Sequence, residues 1–214
     1  MKIIVCIKQV PAGEVKINPE TGTLIREGVQ SILNPFCEYA LDEAIRIKKE
    51  QEERGGEEVE VIVLTMGPPQ ARSALLRCLE LGADRAILLC DRKFAGADTL
   101  ATSLALSEAI QKFEEDFTLI FTGKQAIDGD TAQVGPELAE HLGIPQITYV
   151  TSTNLIPERR RIQVERETEN GYEIVECKLP ALVSVSSGSN ILRIPSFKEI
   201  INARRKVIKN VIAD

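Results

Sequence analysis

Short, continuously apolar runs alternate with longer amphipathic stretches over the first 150 residues of the chain. The runs are "KIIVCIK" (2–8), "VEVIVLT" (59–65), "AILLC" (86–90), "LIFT" (119–122) and "ITYV" (147–150). Unbroken hydrophobicity over so few residues predicts strands buried on both faces, as in a parallel sheet. Between them, helical periodicity predicts helices near 35–54, 69–82, 98–114 and 131–142. Asn34 is placed to cap the first of these, with Pro35 at a position where a missing N–H does no harm. Phe36, Ala40, Leu41, Ala44 and Ile45 form its inward stripe. Gly82 and Gly143 stand where left-handed helix terminators are wanted. Repeated strand–helix–strand units predict a doubly wound, mostly parallel, Rossmann-like α/β sheet.

The pattern changes after residue 150. "RIQVERETENGYEIVECKL" (161–179) alternates apolar and polar residues on both sides of Asn170-Gly171, which predicts an antiparallel hairpin turning there. A strand "ALVSVS" follows Pro180, then a Ser/Gly/Asn loop, then a helix beginning at Ser196 or Phe197. The expectation is one domain over 1–214, with a core at 1–150 and the hairpin, strand and terminal helix at 151–214.

Composition narrows the function. No apolar run approaches the roughly 18–20 residues of a membrane span, and the start lacks a secretory pattern, so the expectation is a cytoplasmic protein without membrane insertion. The formal net charge of −6 argues against general nucleic-acid binding. Acids crowd "KKEQEERGGEEVE", read as a solvated helix end and loop. Arg193, Lys198, Arg204, Arg205, Lys206 and Lys209 crowd the other end with only Glu199 among them, either an exposed helix face or a partner surface. The five cysteines form no C-x-x-C pair and read as reduced, mostly buried thiols. A single histidine, His141, excludes any site needing two imidazoles and reads as a solvated residue in a last helical turn. Neither a metal site nor a catalytic side chain is expected.

The loops that leave the predicted strands are more informative. "CIKQVP", "TMGPPQ", "CDRKFAGADTLATS" and "TGKQAIDGDTAQVGP" carry Gly, Pro, Thr, Ser or amide groups, at the end of the sheet where ligands collect in such folds. In the last of them, Asp130 is placed to cap a helix starting at Thr131, with Gln133 completing a capping box. Gly129 permits a positive φ. The amides of Thr131, Ala132 and Gln133 would then face a phosphate, with Asp128 and Asp130 read as a loop-bracing acceptor and the cap. Pro136 implies either a kink or a later helix start. Lys124 suits a phosphate or a carboxylate. Asp98, Thr99, Thr102 and Ser103 offer a second helix start with hydroxyls, or simply an N-cap and surface threonines. Neither G-x-G-x-x-G nor a P-loop is present, and a capped loop without ligand fits the residue types equally well.

Taken together, "CIKQVP", "NPFCEYALDEAIRIKKE" (34–50), "MGPPQA", "LGADRAILL", "GKQAIDGDTAQVGPELAEHLGIPQ" (123–146) and "KLPALVSV" resemble the β subunit of electron transfer flavoproteins along nearly the whole chain. The resemblance implies a heterodimer whose α subunit carries an electron-transferring FAD. It also implies an adenine nucleotide in this subunit. The positions implied to contact it are Cys6, Asn34, Pro35, Phe36, Cys37 and Met66, together with Gly123, Lys124, Gln125, Ala126, Ile127, Asp128, Gly129, Asp130, Thr131, Ala132, Gln133 and Val134. In one branch of the family that nucleotide is a structural AMP. In the electron-bifurcating branch it is a second FAD that takes a hydride from NADH. "FAGADTLATS" and "AIDGDTAQVGP" resemble the second branch, which would bring Asp98, Thr99 and Thr102 near the additional flavin portion. The implied partners are a dehydrogenase or quinone-reducing protein and a low-potential acceptor such as ferredoxin or flavodoxin. Phe197 stands where the family anchors a partner protein, or else is a hydrophobic staple, and Arg204, Arg205 and Lys206 match a basic cluster beside it. Family members usually continue beyond the counterpart of Asp214 as an arm around the α subunit. Gly129→Val is expected to release the nucleotide.

Overall fold

The computed structural model describes residues 1–13, 16–17, 24–25, 30–186 and 194–213. In chain order the elements are β1 (Lys2–Cys6), β2 (Gln9–Pro11), β3 (Lys16–Ile17), β4 (Leu24–Ile25), β5 (Ser31–Leu33), α1 (Pro35–Glu53), β6 (Glu60–Met66), α2 (Arg72–Leu81), β7 (Arg85–Leu89) and α3 (Thr99–Phe113). They continue with β8 (Leu119–Gly123), α4 (Val134–Leu142), β9 (Gln146–Ile156), β10 (Arg161–Thr168), β11 (Gly171–Lys178), β12 (Ala181–Val185), α5 (Phe197–Ala203) and β13 (Ile208–Val211).

Nine strands form one sheet in the order β11-β10-β9-β12-β8-β1-β6-β7-β13. Every pairing from β9 to β13 is parallel, and only the β9–β10 and β10–β11 pairings are antiparallel, so β10 alone runs against the rest of the sheet. The chain winds outward from β1 through β6 to β7, then returns to place β8 on the other side of β1, so the order reverses between β1 and β8. The continuous apolar runs have the expected cause. Ile3 and Ile4 point to opposite faces, and both are at most 1% exposed. One face packs Ile3, Val5 and Phe121 against Leu41, Ile47 and Leu75 of α1 and α2. The other packs Ile4, Ile62 and Ile120 against Ile110 of α3 and Leu138 of α4. A fold of α/β class with helices on both faces is therefore present.

Gly82 (φ 122°) and Gly143 (φ 65°) end α2 and α4 as expected, with Ala83 and Ile144 amides reaching back to Cys78 and Ala139 carbonyls at 3.1 Å each. Several boundaries differ from the pattern. A 3₁₀ turn, Pro69–Ala71, precedes α2. The hairpin pairs Thr168 with Gly171, so its two turn residues are Glu169 and Asn170, and Gly171 (φ 133°) opens the returning strand. The segment after Ser196 gives only one short helix, after which β13 joins the sheet beside β7. Lys206 is therefore no helix-face residue: its ammonium donates to the Ala83 carbonyl at 2.6 Å.

Buried carboxylates tie the layers together. Glu43 on α1 accepts from the Thr153 amide (2.9 Å) and hydroxyl (2.6 Å) on β9. At the amino ends of the strands, Glu114, 4% exposed, accepts two hydrogen bonds from Arg85 at 2.9 and 3.0 Å. Among the described residues no helix is long and apolar enough to cross a membrane.

Candidate functional site

At the reversal between β1 and β8, the last residue of β8 meets the first turn of α1. A Cβ on Gly123 would lie 2.8 Å from the Phe36 carbonyl carbon and 2.9 Å from the Cys37 nitrogen. Only glycine allows this approach of backbone to backbone. Asn34, 1% exposed, secures it. Its side-chain amide donates to the Gln125 carbonyl at 2.8 Å, and its oxygen accepts from the Ile127 amide at 3.2 Å. Asn34 thus occupies the cap position of α1 without a side-chain cap bond; the side chain staples the following loop instead. This corrects the capping role read from its position, because two loop groups 91 and 93 residues away compete for the same amide.

The loop itself is folded differently from the pattern. The Gly129 and Asp130 amides both donate to the Ala126 carbonyl, at 3.3 and 2.8 Å. The positive φ angles belong to Asp130 (58°) and Ala132 (54°), not to Gly129, whose missing Cβ would face open space. Asp130 accepts from the Gln125 side chain and caps no helix. Helix α4 starts three residues later than Thr131, with Gln133 as its cap residue, so the predicted capping box does not form. Pro136 then falls in the first turn, where no internal donor is needed, and the helix requires no kink. Asp128 is a brace, as expected: Lys8 pairs with its buried side chain at 2.7 Å.

This places the start of α4 against the end of β8. A Cβ on Gly135 would lie 2.9 Å from the Thr122 hydroxyl. Thr122 Oγ1 and Glu137 Oε2 are buried without a partner among the described residues. Nor does any described group accept from the Ala132, Gln133, Val134 or Gly135 amides. The Thr99 hydroxyl, at the start of α3, lies 3.1 Å from Glu137 Oε1 and 3.3 Å from Gln133 Oε1. Two positive helix ends therefore converge beside the reversal. Asp98 is an N-cap, accepting from the Ala101 amide at 2.8 Å, and Thr102 is half-buried on α3.

Cys6 and Cys37 are buried at the end of β1 and in the first turn of α1. Burial, and secondarily the neighbouring Cys37, pushes the Cys6 thiol up to about 12. Burial also raises Cys37, opposed by the Asn34 side chain and by backbone groups at Lys8 and Gly123. Both thiols are thus kept neutral and unreactive. Met66 is half-buried at the end of β6. Lys8, Thr122, Gly135, Glu137 and Tyr149 were not singled out from sequence. Thr122 reads only as a strand residue, whereas Lys8 lies within the "CIKQVP" segment. His141 is half-buried with Nε2 unpartnered among the described residues, so it is not the solvated residue expected. A polar groove of about 750 Å³ at the opposite end of the sheet is lined by Lys2, Lys48, Asp84, Asp116 and neighbours. Its lysines are paired with its own carboxylates at 2.5–2.6 Å, so it offers a ligand less than the reversal does.

Phe197 is remote from these groups. It opens α5, next to the Ser196–Glu199 capping box, and is 78% exposed. That exposure removes the hydrophobic-staple reading. Ile194 beside it is 89% exposed.

Residues 21–214 match the family described as "Electron transfer flavoprotein domain". A protein named electron transfer flavoprotein subunit beta, from Thermoanaerobacterium thermosaccharolyticum, is 54% identical over 216 residues, covering 100% of this chain and 79% of its own length. The protein FixA of Sinorhizobium fredii is 48% identical over 97% of this chain and 73% of its own. The caffeyl-CoA reductase-Etf complex subunit CarD of Acetobacterium woodii is 49% identical over 97% of this chain and 77% of its own. A glycine-tight strand end stapled to a helix start at the sheet reversal, in a chain with these likenesses, leads to one assignment: this protein belongs to the electron transfer flavoprotein family, as a β-type subunit.

Proposed function

We propose that this subunit holds FAD in the crevice between β1 and β8 and works beside an α subunit carrying a second FAD, in the cytoplasm. The observation that carries the reading is the set of groups at the start of α4 without a partner among the described residues: four backbone amides, the Thr122 hydroxyl and one oxygen of Glu137. Amides at a positive helix end suit a diphosphate, and buried acceptors suit ribose hydroxyls or an amine. Asn34 and Gly123 keep the loop pressed on α1, so the donors are fixed before a ligand arrives. Lys124 adds a cation at the mouth. The chemistry such a flavin supplies is hydride acceptance from NADH and release of electrons one at a time, toward the α-subunit flavin and a low-potential acceptor such as ferredoxin or flavodoxin. The convergence of α3 on α4 through Thr99 supports a ligand longer than a mononucleotide. The name of the Acetobacterium woodii relative supports a reductase or dehydrogenase as a further partner, with the exposed Phe197 as the contact.

The second reading is a structural AMP. It is favoured by Asp98 and Thr99, which already hold partners within the chain. Extraction and chromatography of nucleotides from the purified heterodimer separates the two. Two FAD per heterodimer supports bifurcation, whereas one FAD and one AMP ends it.

A further inference from the structure

Tyr149 is an aromatic residue in the left-handed region, with φ 61°. Such a conformation is uncommon for a bulky side chain and persists only where surrounding structure imposes it. The imposing feature is a bulge. Along β12, Val183 pairs with Ile147 and Val185 pairs with Val150, so Thr148 and Tyr149 together face the single residue Ser184. Bulges of this kind re-aim a side chain. Here the ring is turned toward β8: Lys124 Nζ lies 4.7 Å from its centroid, in cation–π range.

The surroundings fix both partners. Val185 pairs with Gly123 on one side and Val150 on the other. The Lys124 amide donates to the Val185 carbonyl at 2.8 Å, and the Ser186 amide to the Val150 carbonyl at 2.9 Å. Lys124 forms no ion pair with any described carboxylate, whereas Lys8 across the crevice is neutralised by Asp128. An ammonium without a counter-charge among the described residues, laid on a ring by a strained bulge beside the end of β8, is held ready for an anion.

We propose that Tyr149 is a positioning residue, holding the Lys124 ammonium at the crevice mouth for an anionic phosphate group of the ligand. The inference rests on the nucleotide reading of the crevice. Tyr149 acts through Lys124, so its ring, and not its hydroxyl, is what matters.

The test is a double-mutant cycle on the purified full-length heterodimer freed of nucleotide, titrated with FAD and AMP and, as a phosphate-free probe, with adenosine. Tyr149→Phe should bind as the parent does. Tyr149→Leu should weaken FAD and AMP by about two- to five-fold, the range of a partly exposed cation–π contact. It should leave adenosine unchanged. In a Lys124→Met background, Tyr149→Leu should have no further effect. Additive losses, a Tyr149→Leu protein that binds like the parent, or an equal loss for adenosine would each overturn the inference. If the leucine variant fails to fold, Tyr149→Asn, which accepts a positive φ, takes its place in the same cycle. A parent protein that binds neither FAD nor AMP would instead overturn the nucleotide reading itself.

Discussion

A single methyl group at Gly123 should separate close packing from mere loop flexibility. Its Cβ would stand 2.8 Å from both the carbonyl carbon and the Cβ of Phe36, and 2.9 Å from the Cys37 nitrogen. Two of those three atoms are backbone in the first turn of α1, which cannot swing aside as a long side chain would. Forced overpacking of this kind costs about 1–3 kcal/mol. For a chain of this size that corresponds to a fall in melting temperature of roughly 2–4 °C per kcal/mol. The displacement also separates Asn34 from the Gln125 carbonyl and the Ile127 amide, so Gly123→Ala should release bound nucleotide. Gly129→Ala is the matched control. Its added Cβ meets nothing within 4 Å and its φ is not left-handed, so its effect should stay within about 0.5 kcal/mol. The same geometry reverses the residue-type expectation for Gly129→Val, which should keep its nucleotide. Thermal melts of parent and both alanine variants, with nucleotide counted in each, make the comparison. Equal melting temperatures for Gly123→Ala and Gly129→Ala would refute the close-approach argument.

Thr122→Val removes a buried hydroxyl that has no described partner. The nucleotide-free protein should therefore melt no lower than the parent, while the nucleotide-bound form should lose part of its stabilisation; a lower melt without nucleotide would count against an orphaned hydroxyl. Arg85 hydrogen-bonds Glu60 and holds its carboxyl below the ordinary 4.5. That contribution is complete above the unfolded carboxyl's range and is lost as pH falls through the folded value. Glu60→Gln should accordingly lower stability near pH 7, where that contribution is complete, and flatten the acid side of a stability-versus-pH curve; an unchanged acid limb would contradict this. Cys6, Cys37 and Cys78 are buried, whereas Cys90 and Cys177 are partly exposed. A thiol reagent at neutral pH should label at most those two in the folded protein, as peptide mass analysis would reveal, and early labelling of Cys6 would contradict its burial.

Local chemistry was legible where it depended on neighbours in the chain. Continuous runs such as "KIIVC" and "LIFT" needed two buried faces, and Gly82 and Gly143 needed only their own φ freedom. The length of the resemblance likewise pointed to the family without any coordinates. What the tertiary structure decided were the competitions between distant groups. Asn34 could cap its own helix or bind residues near 126, and the loop won because β8 ends against α1. Asp130 could cap α4 or accept from Gln125, and the turn closed on the Ala126 carbonyl moved the helix start beyond its reach. Thr122, Gly135 and Tyr149 carry no local signal, since an orphaned hydroxyl, a steric contact and a bulge exist only once strands far apart in sequence lie side by side. Residue order sets which backbone conformations are accessible; the packing of non-adjacent segments selects among those of similar local energy.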